Sequence, residues 1–437
     1  MSIEMISLLL FGGMLIILAT GLPITFALGG WCMIVGLILY GPRVFPMALY
    51  GTDSIIGYEA LMCVPLFVFM GMMLYYTGIA DDVFSTFQNW LAPVPGGLAV
   101  ATVGTSTLIA AIEGSETTAT LCMGTIALPL MRKRGYSKTL ATGCIQAGAA
   151  LGFLIPPSII AILYAIIARE SIGRLFAGGL IPGLLLFTLF TIYIIVRSKL
   201  QPHIAPQISK EDRCSWQEKI KSLSHLILPG AIIATVIGTI LLRIVTPVEA
   251  SAIGAMASVL AAIIKRRLTW TVINETLMTT LKLTSMAMWI FMAALTFGRI
   301  YNLLGAKQIT EAVVYSLPLE PIGILLLMQL SFFILGTCLD DTAILFITMP
   351  VYIPIITELG FDPVWFGVLY LVNMQMAYLT PPFGYCLFLM KSVAPPDITM
   401  GDIYRSIIPF LIIQGVGLLI IIFFPQIVLW LPGILFD

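Results

Sequence analysis

Charged side chains are scarce in this sequence: Asp, Glu, Lys and Arg together make up 10% of its 437 residues, where a soluble domain carries roughly 25%. That shortage excludes an ordinary soluble enzyme, whose hydrated surface needs far more charge. The formal net charge is zero, so no bulk attraction to nucleic acid or to acidic partners is expected. Histidine is almost missing, with His203 and His225 flanking a polar connector. The seven cysteines (Cys32, Cys63, Cys122, Cys144, Cys214, Cys338 and Cys386) are scattered without paired metal-ligand spacing. Six of the seven lie in apolar segments and read as small buried hydrophobes. No nucleophile or metal constellation emerges, so neither enzyme activity nor a cofactor is expected. The first apolar run also lacks a basic leader and a cleavage site, and reads as a retained membrane helix rather than a signal peptide.

Apolar residues are abundant instead, at 59% of the chain, and the mean hydropathy is +1.04. The expected fold is an all-α polytopic membrane protein. Met5–Thr20 and Ile24–Tyr40 read as spans, Gly41–Tyr58 as a loop, and Cys63–Thr77 as the start of a third span. In Asp82–Leu91, residues Val83, Phe84, Phe87, Trp90 and Leu91 share one helical face, the pattern of an interfacial amphipathic helix. Leu175–Val196 is a full span, and Arg197–Ser224 is the one extended hydrophilic stretch. Within that stretch Trp216, Ile220 and Leu223 fall on one face suited to the membrane surface. Further spans are expected at Ile227–Leu242, Val248–Ile264, from Trp270 to Ile300, and within Ile407–Phe424, with a short segment from Gln308.

The chain repeats itself. The offset that slides Pro93 onto Pro318 also superposes Thr117 on Thr342, Pro129 on Pro354, Gly135 on Gly360 and Pro156-Pro157 on Pro381-Pro382, without a gap. A Pro-Pro pair inside a membrane-length apolar segment is costly, because each proline removes a backbone donor and clashes with the preceding turn. Its recurrence at equivalent positions marks a functional break. In each repeat, two short apolar arms precede the break, too short for two crossings of ~20 residues each and better read as a re-entrant hairpin. The division expected is a first repeat over 1–198, with hairpin 98–131 and broken helix 138–168. A connector over 199–224 follows, then a second repeat over 225–437, with hairpin 322–356 and broken helix 364–393.

Basic clusters at Arg132-Lys133-Arg134, in the connector and at Lys265-Arg266-Arg267 belong in the cytoplasm by the positive-inside rule. Threading the spans between them satisfies all three and leaves both termini outside. The first hairpin ends in Arg132-Lys133-Arg134, whereas the second ends in Glu358 and Asp362, so the two enter from opposite sides as an inverted-topology repeat. Unwound backbone at membrane depth persists only where protein or a water-filled cavity satisfies it. Carbonyls and hydroxyls there suit a dehydrated alkali cation, and half-helix N-termini suit an anion. Cation-coupled transport of an organic anion follows as the expectation. Ser115, Thr117 and Thr118 suit ligand contact or capping of the second arm, as do Asp340 and Asp341. Glu113 and Glu116 flank the first tip. Thr246-Pro247-Val248-Glu249 fits a capping box, and Lys391 and Arg299 suit either an anion or a snorkelling role.

Gly114-Ser115-Glu116-Thr117-Thr118-Ala119-Thr120, Ile155-Pro156-Pro157-Ser158, the run from Ser171 to Gly183, Phe366-Gly367-Val368, Val372-Asn373 and Leu379-Thr380-Pro381-Pro382-Phe383-Gly384 occur in that order. Together they resemble the large membrane subunit of tripartite ATP-independent periplasmic transporters, of the dicarboxylate type, over essentially the whole chain. The resemblance implies an elevator-type carrier of the ion transporter superfamily in a bacterial inner membrane, driven by sodium. It also implies two partners, a small four-helix membrane subunit and a periplasmic substrate-binding protein. The length of the chain leaves no room for the small subunit. Sodium, carried over by position, points to Ser115, Gly152 and Ser158 and to Asp340, Ala377, Thr380 and Phe383. The candidate substrate contacts are Ser115, Glu116, Thr117, Thr118, Asp341, Thr342, Asn373 and Lys391. The sequence departs from the family's commonest pattern at Glu113 and Glu116, which replace small or neutral residues, and in the Asp340-Asp341 pair. The Tyr378–Lys391 stretch is similar to a branch associated with small oxo acids, hydroxy acids and sulfonates. The alternatives are a standalone sodium–dicarboxylate symporter of related architecture, which would need no binding protein, and a channel, which would not saturate.

Overall fold

A computed structural model describes residues 3–436 except 21, 23–24, 47–48, 51–52, 54–56, 115, 207–213, 304, 306–317, 338 and 382–383. The described residues form helices: α1 Ile3–Ala19, α2 Trp31–Tyr40, α3 Cys63–Tyr76, α4 Ile79–Leu91, α5 Gly97–Glu113, α6 Glu116–Lys133, α7 Lys138–Ala150, α8 Ile159–Ala168, α9 Ile172–Leu200, α10 Trp216–Leu241, α11 Pro247–Ile264, α12 Trp270–Leu303, α13 Pro321–Gly336, α14 Asp341–Glu358, α15 Pro363–Tyr378, α16 Tyr385–Val393, α17 Met400–Phe423 and α18 Gln426–Phe436. Eight helical stretches are long and apolar enough to cross a membrane, and four more are apolar but shorter. The longest, α12, has 34 residues, which at the α-helical rise makes it about 50 Å long. The expected segment at Gln308 lies outside the described residues.

Helix starts follow side chains that can satisfy free backbone donors. Ser137 accepts from Leu140 N at 3.2 Å to begin α7, and Asp362 accepts from Val364 N at 2.7 Å to begin α15. Thr246 Oγ1 accepts from Glu249 N at 3.3 Å while Thr246 N donates to Glu249 Oε2 at 2.7 Å, so Glu249 completes the capping box at the head of α11.

Helices α5 and α6 form the first hairpin and α13 and α14 the second, and the packing between repeats is reciprocal. The second arm of hairpin 1, α6, packs on α16, while the second arm of hairpin 2, α14, packs on α8. Around them, α3 packs on α11 and α12, and α10 packs on α11 and α4. One end of the bundle gathers the basic segments. Ser137 N, beside the 132–134 cluster, donates to Ile204 O at 2.9 Å, Trp90 Nε1 donates to Lys219 O at 3.1 Å, and Lys265 lies 3.1 Å from Asp82. Helix α4 bridges the last two. At this end Arg132 and Lys138 pair with Asp397 at 3.1 and 3.2 Å. Hydrogen bonding from Lys138 holds the Asp397 carboxyl below its ordinary range.

Four expectations need correction. Val83 and Phe84 of α4 are buried, because α4 lies against α5 and α10 instead of offering that face to lipid. The connector does not end in a separate surface segment: Trp216 starts α10, capped by Ser215 and Glu218, and the helix runs unbroken to Leu241. The stretch after Tyr40 continues as a tight turn over Gly41–Val44 rather than opening into a loop. A short apolar helix at the end of the chain, α18, was not expected; it packs on α9 with Val428 and Pro432 buried.

Helix α9 reaches the first break closely because Gly179 has no side chain. A Cβ there would sit 2.5 Å from the Leu154 carbonyl oxygen. Gly179→Ala is therefore expected to cost about 1–3 kcal/mol, read as a lower melting temperature of the purified protein. A melting temperature equal to the parent's would mean that the two segments are not in contact.

Candidate functional site

Each hairpin tip sits on the break of its own repeat. At the first tip, Gly114 has φ +66°, and a Cβ there would lie 3.1 Å from Pro157 O. At the second, Gly336 abuts Ala377 at the end of α15. The breaks are bound to their own helices by short-range hydrogen bonds. Leu154 N and Ile155 N both donate to Leu151 O, at 3.0 and 3.1 Å, and Thr380 N donates to Ala377 O at 3.0 Å. The two breaks then meet through Phe153 and Tyr378, whose ring centroids are 5.4 Å apart edge to face.

Around this meeting point lies a cavity of about 570 Å³. Its wall includes Gly114, Glu116, Thr117 and Thr118 from hairpin 1, and Asp340, Asp341 and Thr342 from hairpin 2. Phe153 and Ile159 come from the first break and Tyr378, Gly384 and Tyr385 from the second. Four stretches remote in sequence thus share one chamber, with the first turns of α6 and α14 opening onto it.

The polar chemistry is concentrated on Tyr378. Its hydroxyl lies 2.5 Å from Asp340 Oδ1 and 2.9 Å from Asp341 Oδ1, donating to this carboxylate pair. Asp341 Oδ1 also accepts from Thr342 N at 2.6 Å, and the Asp341 carbonyl accepts from Tyr370 Oη at 2.5 Å. Asp340 Oδ2 accepts from Thr342 N at 3.2 Å, so it caps α14 as well as facing the cavity. Glu116 and Asp341 are each 5% exposed. No lysine, arginine or histidine is among the described lining residues. Buried carboxylates need partners, and Asp340 and Asp341 find theirs in the Tyr378 hydroxyl and in the backbone and hydroxyl of Thr342. No three or more His, Cys, Asp or Glu side chains among the described residues are grouped to hold one metal ion.

Of the expected site residues, Glu116, Thr117, Thr118, Asp340, Asp341 and Thr342 line the cavity. Gly152, Ser158 and Ala377 lie buried in or beside the breaks, and Ser158 Oγ caps α8 by accepting from Ala161 N at 3.3 Å. Thr380 Oγ1 donates to Met376 O at 2.6 Å. Ser115 and Phe383 lie outside the described residues. Two candidates are placed elsewhere. Asn373 Nδ2 donates to Gln329 O at 2.7 Å inside the α13–α15 contact, and Lys391 Nζ donates to Ile398 O at 2.6 Å beyond the far end of α16. Neither lines the cavity. Lining residues not singled out beforehand include Phe153, Tyr378 and Tyr385. The offset that relates the two repeats superposes Phe153 on Tyr378, a signal that could have flagged that pair.

The sequence model of the tripartite ATP-independent periplasmic transporter DctM component matches residues 11–427. The chain belongs to that family. It is 30% identical over 403 residues to the C4-dicarboxylate TRAP transporter large permease protein DctM of Pseudomonas aeruginosa, covering 91% of this chain and 92% of that protein. It is 27% identical over 425 residues to the isethionate TRAP transporter permease protein DctMQ of Oleidesulfovibrio alaskensis, covering 97% of this chain and 66% of that longer protein. Among solved structures, the Alcanivorax borkumensis YdaH transporter has the same fold, with a TM-score of 0.62 over 87% of this chain and 88% of that one at 14% identity. This DctM-family chain is accordingly a polytopic helical transporter subunit, and its family works on organic acids together with a binding protein and a small membrane subunit.

Tyr378→Phe removes the donor shared by Asp340 and Asp341. Hydrogen bonds to charged groups contribute about 1.5–3 kcal/mol, so a clear fall in melting temperature is expected. Tyr385→Phe, on a side chain that is 54% exposed, should change it little. Equal effects from the two would mean that Tyr378 does not hold the tip of hairpin 2.

Proposed function

We propose that this chain is the large subunit of a sodium-coupled secondary importer of a small organic anion, a carboxylate or sulfonate. The observation that carries the reading is the convergence of both hairpin tips and both helix breaks on one cavity. Exposed carbonyls at broken helices are the hard oxygen donors that a desolvated alkali cation needs. Ser115, Gly152 and Ser158 form one sodium position and Asp340, Ala377, Thr380 and Phe383 the other, several of them through the backbone. The threonines and the two half-helix N-termini supply donors for the anion.

A periplasmic substrate-binding protein delivers the compound, and a small four-helix membrane subunit braces the scaffold. The hairpins and broken helices move as one body against the remaining helices, in an elevator motion. The inverted repeats run over 1–198 and 225–437, in the bacterial inner membrane, with both termini periplasmic. The gathering of basic segments at one end of the bundle supports this orientation through the positive-inside rule. The names of the relatives, which cover a C4-dicarboxylate and isethionate, support a small carboxylate or sulfonate.

Sodium is the quickest part to test. Binding to the folded state alone stabilises by RT ln(1 + [L]/Kd), about 2.7 kcal/mol at one hundred times Kd. The protein, purified with its small subunit, should melt at a higher temperature in sodium than in potassium at equal ionic strength. Ser115→Ala or Thr380→Ala should reduce the difference. Identical melting in the two salts would sink the sodium assignment.

A further inference from the structure

Away from the central chamber, α9 and α17 pack side by side and leave an open groove of about 480 Å³ between them. Leu189, Ile192 and Val196 of α9 and Ile412 and Val416 of α17 make its apolar walls. The polar groups in its lining gather toward one end: the Tyr193 hydroxyl, the Arg197 guanidinium and the Gln201 amide. From Leu189 to Leu200 the α-helical rise gives a length of about 16 Å, and half of a bilayer's hydrocarbon core is about 15 Å. The groove is one leaflet deep. Its polar end is also the basic end of the bundle, where α9 leads into Ile204, whose carbonyl accepts from Ser137 N at 2.9 Å beside the 132–134 cluster.

Arg197 is fixed between the two helices. Its Nη1 donates to Tyr193 Oη, its guanidinium carbon lies 5.6 Å from the centre of the Tyr193 ring, and that ring packs edge-on against Phe410 of α17 with centroids 5.3 Å apart. A guanidinium carries five N–H donors, and one of them serves the tyrosine. Two further cations continue the walls toward the same surface: Lys199, one turn beyond Val196, and Arg405, two turns before Ile412, both exposed. Among the described residues none of the three forms an ion pair. Asp402, three residues before Arg405, is occupied in the cap of α17, accepting from Thr399 N and Oγ1 at 2.9 and 2.8 Å.

This combination selects the occupant. A membrane helix from a partner needs a face about 30 Å long, twice the reach of this groove, whereas a phospholipid places its charge at the surface and its chains down to mid-depth. Basic pockets between membrane helices take anionic headgroups in this way. We infer that the groove binds an anionic phospholipid. Its phosphate rests on Arg197, with Lys199 and Arg405 beside it, and an acyl chain lies along Val196, Ile192 and Leu189 against Ile412 and Val416. Helix α9 packs on α8 and α15, and α17 packs on α7 and α15. The bound lipid therefore ties together two helices that support both breaks, and occupancy stabilises the fold.

The test uses the parent chain, purified with its small subunit and stripped of lipid in detergent. Phosphatidylglycerol and phosphatidylcholine with the same acyl chains are titrated in, bound lipid is counted by native mass spectrometry, and the melting temperature is read in parallel. Phosphatidylglycerol should bind about tenfold more tightly and raise the melting temperature more. Arg197→Gln should lower that preference about fivefold, the worth of one cation beside an anionic headgroup. Val416→Trp, which fills the groove and leaves every cation in place, should weaken binding of both lipids. Lys221→Gln, at an exposed position outside the groove's lining, should change neither. Equal binding of the two lipids by the parent would overturn the inference. So would a preference that falls as much in Lys221→Gln as in Arg197→Gln, which means general surface charge, or binding untouched by Val416→Trp, which means a site elsewhere. Should one variant fail to fold, the parent comparison and the other variants decide.

Discussion

Hydrocarbon supplies no hydrogen bonds, so every backbone N–H and C=O at membrane depth must find its partner inside the protein. A continuous helix meets that demand by itself, but a helix broken by Pro-Pro does not. The rest of this structure depends on how the two breaks are covered. Leu151 O takes two donors at the first break, Thr380 N and Gly384 N close the second, and each break is then capped by a hairpin tip. Because each break needs a cover of its own, two hairpins exist. Because the breaks also lean on each other through Phe153 and Tyr378, both covers end at the same place.

The cavity is a by-product of this arrangement. Where two tips and two breaks meet, the packing cannot be as continuous as between parallel helices, and polar groups that belong to helix ends face inward. Helix N-termini at α6 and α14 carry partial positive charge, which partly offsets Glu116 and Asp341. Asp340 serves two demands at once, as the cap of α14 and as an acceptor for Tyr378. Removing it would therefore disturb helix and cavity together, and a role in structure does not compete with one in ligand binding.

Much of this was readable beforehand, for reasons that are local. The expected hairpin arms fall on α5–α6 and α13–α14, and the broken helices on α7–α8 and α15–α16, because proline and glycine act on their own few residues. Glu249 was readable as a cap from Thr246-Pro247 alone. What failed were judgements about which face meets what. The stripe in α4 has the pattern of a lipid-facing surface, yet Val83 and Phe84 meet protein, and periodicity carries no information about whether the apolar neighbour is a lipid tail or another helix. Lys391 was a candidate because its charge could meet an anion, and Asn373 because it belongs to one of the motifs that carry the resemblance. Each further residue of a helix moves the chain along its axis, and by Lys391 that advance has reached the opposite end of α16 from the break.

By itself, the sequence determined that the chain spans membranes, that it is built twice, where its helices break, and that acids stand beside both hairpin tips. Tertiary structure alone decided that Glu116, Asp340 and Asp341 face one chamber, that Tyr378 ties Asp340 to Asp341, and that no described basic residue lines the chamber. The division has a physical cause. Helix breaks and caps are settled by interactions within a few residues, whereas the electrostatics of a cavity depends on which side chains four remote segments bring together, and on which they leave out.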